Sequence, residues 1–254
     1  CCKGRVYALV HFWRGSVVMP AANFAIQAID RQIMAPIAIG TGFSAAGSSS
    51  ISITTTAAIP PGSLVCVAIQ AIKSTTISVS SVSDGTNSYS VGKSVGWDSN
   101  TLIESALWYK ENAAAVASGS TVTVSLSAAT SNNESQACIF YFPGQQFQSG
   151  SLDKSSSGST GATATTTPSS GASVSLSQTE EVVIGFFGGY GGVASNPSVS
   201  NEGGFALITN ASHDARMVVH AAYKFQNNST SSVTYSPTFN TSVTGGCGVV
   251  TFRA

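Results

Sequence analysis

Residues 121–127 read Thr-Val-Thr-Val-Ser-Leu-Ser, an unbroken alternation of hydroxyl and apolar side chains. Successive side chains of a β-strand point to opposite faces, so this run has one apolar and one hydroxyl face. A helix would scatter the same pattern around its circumference. Residues 50–54 (Ser-Ile-Ser-Ile-Thr) and 173–177 (Ser-Val-Ser-Leu-Ser) alternate in the same way. Three further runs, 64–69, 138–142 and 182–187, are apolar almost throughout and suit strands buried on both faces. Turn signals separate the runs: Pro60-Pro61-Gly62, Asp84-Gly85, Pro143-Gly144, Gly188-Gly189 and Gly191-Gly192. The chain is expected to be all-β.

Composition says how such a chain meets water. Of 254 residues, 43 are Ser and 24 are Thr, whereas only 9% are charged and the net charge is zero. Hydroxyls and amides must therefore wet the surface. Eleven basic residues spread along the chain cannot form the broad patch that a nucleic acid needs, so no nucleic-acid partner is expected. Disorder requires low hydrophobicity with high charge, and the mean hydropathy here is +0.21. No run of 18 apolar residues occurs, so no helical membrane span is expected.

The order of signals repeats. A Gly/Ser/Thr lead-in precedes an apolar strand, a turn, a strand ending in Tyr-Lys, an alternating strand and a closing apolar strand. Tyr109 and Tyr223 are 114 residues apart, Val122 and Val233 are 111 apart, Phe142 and Phe252 are 110 apart, and Val65 and Val182 are 117 apart. Offsets this steady point to a duplication. The expected organisation is an N-terminal arm (1–37), a first β-sandwich (38–145), a Ser/Gly-rich linker (146–160) and a second β-sandwich (161–254). Each copy has about 105 residues, with turns every 8–15 residues, as in an antiparallel jelly roll, or in an immunoglobulin-like sandwich as the alternative.

The arm differs in charge. Residues 1–34 carry Lys3, Arg5, Arg14 and Arg31 against Asp30, while the remaining 220 carry seven basic and ten acidic residues. Residues 1–18 read as upstream sequence, as the start of a fragment, or with Cys1 as a lipid-carrying residue. Residues 20–34 read as a short helix, with Pro20 in its first turn and Pro36 beyond its end. Ile26, Ile29 and Ile33 would share one face and dock on a partner subunit or on the adjacent domain.

The turn Val82-Ser83-Asp84-Gly85-Thr86-Asn87-Ser88-Tyr89, set between the apolar strand and the Ala106-Leu107-Trp108-Tyr109-Lys110 strand, carries a resemblance. Over residues 38–252 the chain resembles a loosely defined family of duplicated β-sandwich proteins of tailed phages and environmental bacteria. The resemblance implies a virion accessory or surface protein and brings no catalytic residues. The second copy departs from the motif with Val199-Ser200-Asn201-Glu202-Gly203-Gly204.

Titratable chemistry is sparse. His213-Asp214 are adjacent and would point to opposite faces of a strand. No Gly-x-Ser-x-Gly elbow, His-Glu-x-x-His or Cys-x-x-Cys occurs, so no catalytic residue, cofactor or transition metal is indicated. Asp84 with Asn87, and Asp98 with Asn100, offer hard oxygens to calcium, although both pairs also suit plain turns. Cys66, Cys138 and Cys247 lie in apolar strands and read as free buried thiols, a Cys66–Cys138 bridge being the alternative. Cys138 and Cys247 read as occupants of the same place in the two copies. Trp97 and Tyr190, in Gly-rich contexts, are candidate stacking platforms for a glycan.

Two functions follow as expectations. The first is a non-enzymatic structural subunit of a virion, homo-oligomeric or packed against other virion subunits, because low-charge edge strands need cover. The second is a secreted or surface carbohydrate-binding module.

Overall fold

The computed structural model describes residues 7–12, 15–20, 34–73, 76–96, 103–130, 135–144, 147, 150–161, 163–173, 175–191, 196–213 and 216–253. Two compact units are present, 1–34 and 35–254. In the first, β1 (Tyr7–Phe12) and β2 (Gly15–Pro20) form an antiparallel hairpin. Pro20 thus ends a strand, where a helix start was expected. Residues 21–33 lie outside the described residues, and with them the expected helix and Ile26, Ile29 and Ile33.

The second unit holds β3 (Ile37–Phe43), β4 (Ser50–Thr54), β5 (Leu64–Ile72), β6 (Val79–Ser83), β7 (Ser90–Gly96), β8 (Ile103–Lys110), β9 (Thr121–Leu126) and β10 (Gln136–Phe142). These are followed by β11 (Leu152–Ser159), β12 (Glu181–Gly191), β13 (Val199–Asn201), β14 (Ala206–His213), β15 (Met217–Gln226), β16 (Thr238–Phe239) and β17 (Val243–Arg253). All the pairings are antiparallel. No helix occurs among the described residues.

The first eight of these strands form a five-stranded sheet, β3-β10-β5-β8-β7, and a three-stranded sheet, β4-β9-β6. In chain order the larger sheet reads first, eighth, third, sixth, fifth, and the smaller reads second, seventh, fourth. That is jelly-roll connectivity, with the fifth strand moved to the edge of the larger sheet. The sheet β11-β17-β12-β15-β14 repeats the same order, opposite the short pair β13-β16. Ile51, Ile53, Val65, Val67, Val122, Val124 and Ile139 fill the first core. Val183, Phe187, Val218, Val233, Tyr235, Phe239 and Val249 fill the second.

Strand alternation sends the other residues of the apolar runs to the opposite face. Leu64, Cys66, Ala68, Phe140, Phe142, Val182, Ile184, Phe186, Val250 and Phe252 are all buried, yet belong to neither core. They lie where the two five-stranded sheets pack face to face. β5 meets β12 at the centre, β8 meets β12 and β17, and β15 meets β5 and β10. Farther out β7 faces β11 and β17, while β3 and β10 face β14. Each contact has a counterpart with the two sheets exchanged, so the packing has pseudo-two-fold symmetry. The aromatic pairs obey it. Tyr109 packs edge-on against Phe252 at 5.0 Å, and its counterpart Tyr223 packs edge-on against Phe142 at 6.0 Å.

Gly188 and Gly189 were expected to turn the chain but lie inside β12. A Cβ on Gly188 would stand 2.7 Å from Ser105 Oγ and 3.1 Å from Gln70 Cβ. Glycine is there for the close approach of the sheets. In return the buried carbonyls gain donors: Ser105 Oγ donates to Gly188 O at 2.6 Å, and Gln70 Nε2 donates to Gly189 O at 2.9 Å.

Three other expectations are corrected. The expected linker, 146–160, contains β11, the edge strand beside β17. Its Ser-rich stretch, half-buried along almost its whole length, pairs with the neighbouring edge without an apolar alternation. Residues 173–177 and 232–235 alternate, but 173, 175–177 and 232–235 are not in strands. Serine hydroxyls replace carbonyls between them: Val233 N–H donates to Ser173 Oγ and Tyr235 N–H to Ser170 Oγ, both at 2.9 Å. Ser side chains compete with a regular ladder in this way. Lastly, Cys138 faces the layer between the sheets, while Cys247 belongs to the second core. Phe142 pairs with Leu64 as Phe252 pairs with Val182. Cys138 therefore matches Gly248, and a one-residue slip reverses the face.

Because Phe142 and Phe252 are counterparts in one layer, truncating either to Ala should destabilise the whole unit by about 3–5 kcal/mol. Urea unfolding should show one transition for both variants. Loss of only half the structure in either would contradict the shared layer.

Candidate functional site

Among the residues singled out from sequence, Tyr190 is 37% exposed near the end of β12. Trp97, its companion as a glycan platform, lies outside the described residues, as do Asp98, Asn100 and Asp214. His213 ends β14. Trp108 packs against the first core. Cys66, Cys138 and Cys247 are free and buried. Burial pushes the Cys138 thiol up to about 12 and raises the other two as well, so all three are unreactive thiols at neutral pH.

Asp84 organises the β6–β7 turn. Its Oδ1 accepts from the backbone N–H groups of Thr86 and Asn87, at 2.9 and 2.6 Å. Its Oδ2 accepts from Asn87 Nδ2 at 2.9 Å and Tyr89 OH at 3.0 Å. Asn87 in turn exchanges two hydrogen bonds with the backbone of Ala114. Four donors occupy the Asp84 carboxylate, which makes it a turn clamp and leaves little lone-pair capacity for calcium. Burial, then the Asp84 charge, raises the Tyr89 pKa.

In the second copy the corresponding turn carries Glu202. Its Oε2 lies 2.9 Å from His220 Nε2 and 3.2 Å from Tyr235 OH. His220 is 1% exposed and its ring is parallel to that of Tyr235. A carboxylate oxygen accepts, so Nε2 carries a hydrogen, and Nδ1 is buried without a hydrogen-bond partner. Phe239 closes the His220 ring on another side. His220 and Tyr235 are buried, while the Glu202 side chain keeps some exposure at the turn. Sequence reasoning placed Glu202 in its turn without joining it to His220. The signal that joins them is one ionisable residue in an apolar strand with one acid in the facing turn.

Carboxyl groups also fix the crossing between the copies. Glu111 accepts from Gly150 N–H at 2.7 Å, Ser151 Oγ at 2.7 Å and Leu152 N–H at 2.8 Å. Beyond it, a bulge in β11 between Leu152 and Ser155 diverts Lys154 N–H to Thr251 Oγ1. Asp153 thereby receives Ser177 N–H, at 2.8 Å, and Ser177 Oγ. Glu181, which acts on it electrostatically, is fully buried. Burial draws Asp153 upward, but Ser177, Glu181 and the Lys154 charge outweigh it and hold its pKa below the usual carboxylate range. Burial first, opposed by Thr251 and assisted by Asp153, raises the pKa of Glu181. Sequence reasoning missed this pair because it is 28 residues apart and depends on a bulge.

Outside, the β4-β9-β6 sheet presents an uncharged hydroxyl face. Its rows are Ser52-Thr123-Ser83 and Ser50-Ser125-Ser81, with Thr54 beside Thr121. Among the described residues no group of three or more His, Cys, Asp or Glu could hold a metal, and no helix is long and apolar enough to cross a membrane. Comparison with protein families, with characterised proteins and with solved structures found no match.

Glu202→Ala leaves the His220 N–H and the Tyr235 hydroxyl without their acceptor and should cost about 1–3 kcal/mol. Glu202→Gln keeps an acceptor oxygen and should cost less. Urea midpoints of the two variants test the order.

Proposed function

We propose that the chain is a non-enzymatic structural protein of a virion: a capsid decoration, head-fibre or tail-associated subunit. It acts through contacts with other subunits. The observation that carries this reading is where the polar chemistry sits. Asp84, Glu111, Asp153, Glu181, Glu202 and His220 all fasten turns, strands or the chain crossing. The outer β4-β9-β6 face offers uncharged hydroxyls, which lose few ionic hydration shells when a neighbouring subunit covers them. The resemblance of the strand and turn motifs to duplicated phage sandwiches supports the same reading.

The apolar faces of both five-stranded sheets are already consumed within the chain. Assembly contacts would therefore use the outer sheets and loops. Mass spectrometry of purified particles should find the chain in stoichiometric amount, and purified protein should rebind stripped particles. A chain absent from particles and unable to rebind would end this reading.

A surface carbohydrate-binding module is the second reading, supported by the exposed Tyr190 ring. Tyr190→Ala should then abolish retention on an immobilised polysaccharide that retains the parent protein. Unchanged retention removes Tyr190 as the platform.

A further inference from the structure

The pseudo-two-fold layer between the five-stranded sheets breaks its symmetry at one place. In the first copy Gln136 on β10 is the cross-strand partner of Gln70 on β5. In the second, Gly246 on β17 is the cross-strand partner of Gly188 on β12. Leu64 and Phe142 correspond to Val182 and Phe252, so Gln70 corresponds to Gly188 and Gln136 to Gly246. One sheet thus carries a pair of glutamines where the other carries a pair of glycines. We propose that these pairs are a key that makes the layer heterotypic: a first sandwich accepts a second sandwich as its cover and rejects another first sandwich. This inference stands apart from the virion reading.

Hydrogen bonds give the key a direction. Gln70 and Gln136 are both buried. Gln136 Nε2 donates to Gln70 Oε1 at 2.9 Å, which leaves the Gln70 amide nitrogen for the second copy. There it donates to Gly189 O at 2.9 Å and to Met217 Sδ at 3.4 Å. Ser105 Oγ, on β8, donates to Gly188 O at 2.6 Å. Each of these bonds runs from a first-copy side chain to a second-copy acceptor. Met217 lies six residues before Tyr223, so its counterpart is Ile103, six before Tyr109. A first sandwich in the place of the second would therefore offer Gln70 no sulfur acceptor.

Space supplies the rejection. In a first-with-first layer about the same two-fold, the opposing Gln70 and Gln136 would take the places of Gly188 and Gly246. A Cβ at 188 stands 2.7 Å from Ser105 Oγ and 3.1 Å from both Ser105 Cβ and Gln70 Cβ. A Cβ at 246 stands 2.5 Å from Val95 Cγ1 and 2.9 Å from Ser105 Oγ. The remaining atoms of two glutamines would then have to enter a layer that is already close-packed. A second-with-second layer fails in the opposite way, because glycines on both sides leave the notches empty, and unfilled space costs stability. Only a first sheet against a second sheet fills the notches and meets the donors. Chains crowded side by side can therefore exchange covers in one sense alone, the first sandwich of one with the second of another.

Gly188→Gln with Gly246→Gln builds the rejected first-with-first layer inside the full chain. Urea unfolding of this double variant should show a folding equilibrium lowered about tenfold or more. A midpoint equal to that of the parent overturns the key. Adding Gln70→Gly, Gln136→Gly and Ser105→Gly sets one glutamine pair against one glycine pair again, with the roles of the copies exchanged. The midpoint should then rise above that of the double variant. No rise overturns the key, because the damage then belongs to β12 and β17 themselves and not to the residues that face them. If neither variant folds, Gly188→Ala decides the matter, measured in the parent and in Ser105→Gly. Its cost to the folding equilibrium should be about tenfold smaller in the second background. Equal costs overturn the proposal.

Discussion

The layer between the two five-stranded sheets is the contact on which the rest of the second unit depends. Neither sheet has a polar face. One side of β5 supplies Val65, Val67 and Ile69 to the first core, and the other supplies Leu64, Cys66 and Ala68 to the shared layer. A sandwich separated at residue 147 would expose a wide apolar surface, which soluble monomers rarely tolerate. The two copies therefore behave as an internal dimer, with the self-complementary contact of a two-fold interface inside one chain. Gln70 shows how closely the layer is fitted. It is fully buried among apolar residues, yet its amide donates to Gly189 O and its oxygen accepts from Gln136 Nε2 at 2.9 Å.

The same layer explains what was legible in the sequence. The apolar runs announced strands buried on both faces, and the steady offsets announced two copies in one order. The identity of the second cover was not legible, because an apolar strand reads the same whether its far face meets a helix, a partner or its own repeat. Glycines were misread for a related reason. Gly188-Gly189 resembles a turn until a second sheet is known to approach within contact distance of Gly188. The alternating 173–177 run failed differently. Serine hydroxyls offer the backbone a second set of acceptors, and there Ser170 and Ser173 displaced the ladder.

The candidate polar sites were less legible than the fold. Asp84 was identified in its turn, but its four donors are set by the return path of the chain past Tyr89. Glu202 and His220 meet only through tertiary packing. The copies have also diverged here. His220 occupies the place of Ala106, since both lie three residues before the equivalent Tyr223 and Tyr109. A buried ionisable network thus exists in one core where the other is apolar. Pseudo-symmetry governs the shared layer, where both copies must fit each other, and relaxes in the separate cores.

Edge protection completes this logic. In a β-protein with few charges the usual defence of lysines along the edges is thin, resting on Lys93 in β7 and Lys154 in β11. Here the four edge strands of the larger sheets each carry an irregularity in pairing: β3 opposite Ile139/Phe140, β7 between Val91 and Lys93, β11 between Leu152 and Ser155, and β14 between Leu207 and Thr209. The pairings among the inner strands β10, β5 and β8, and among β17, β12 and β15, run without a break. A bulge twists an edge away from a flat partner and so discourages further strand addition. Backbone geometry adds to what those few charges do. Exposed Val91 and Leu207 stand at corresponding positions beside two of these bulges, and there a neighbouring strand meets a distorted ladder. Uncontrolled edge pairing is disfavoured while the hydroxyl faces stay open, and low charge can then serve defined contacts without promoting aggregation.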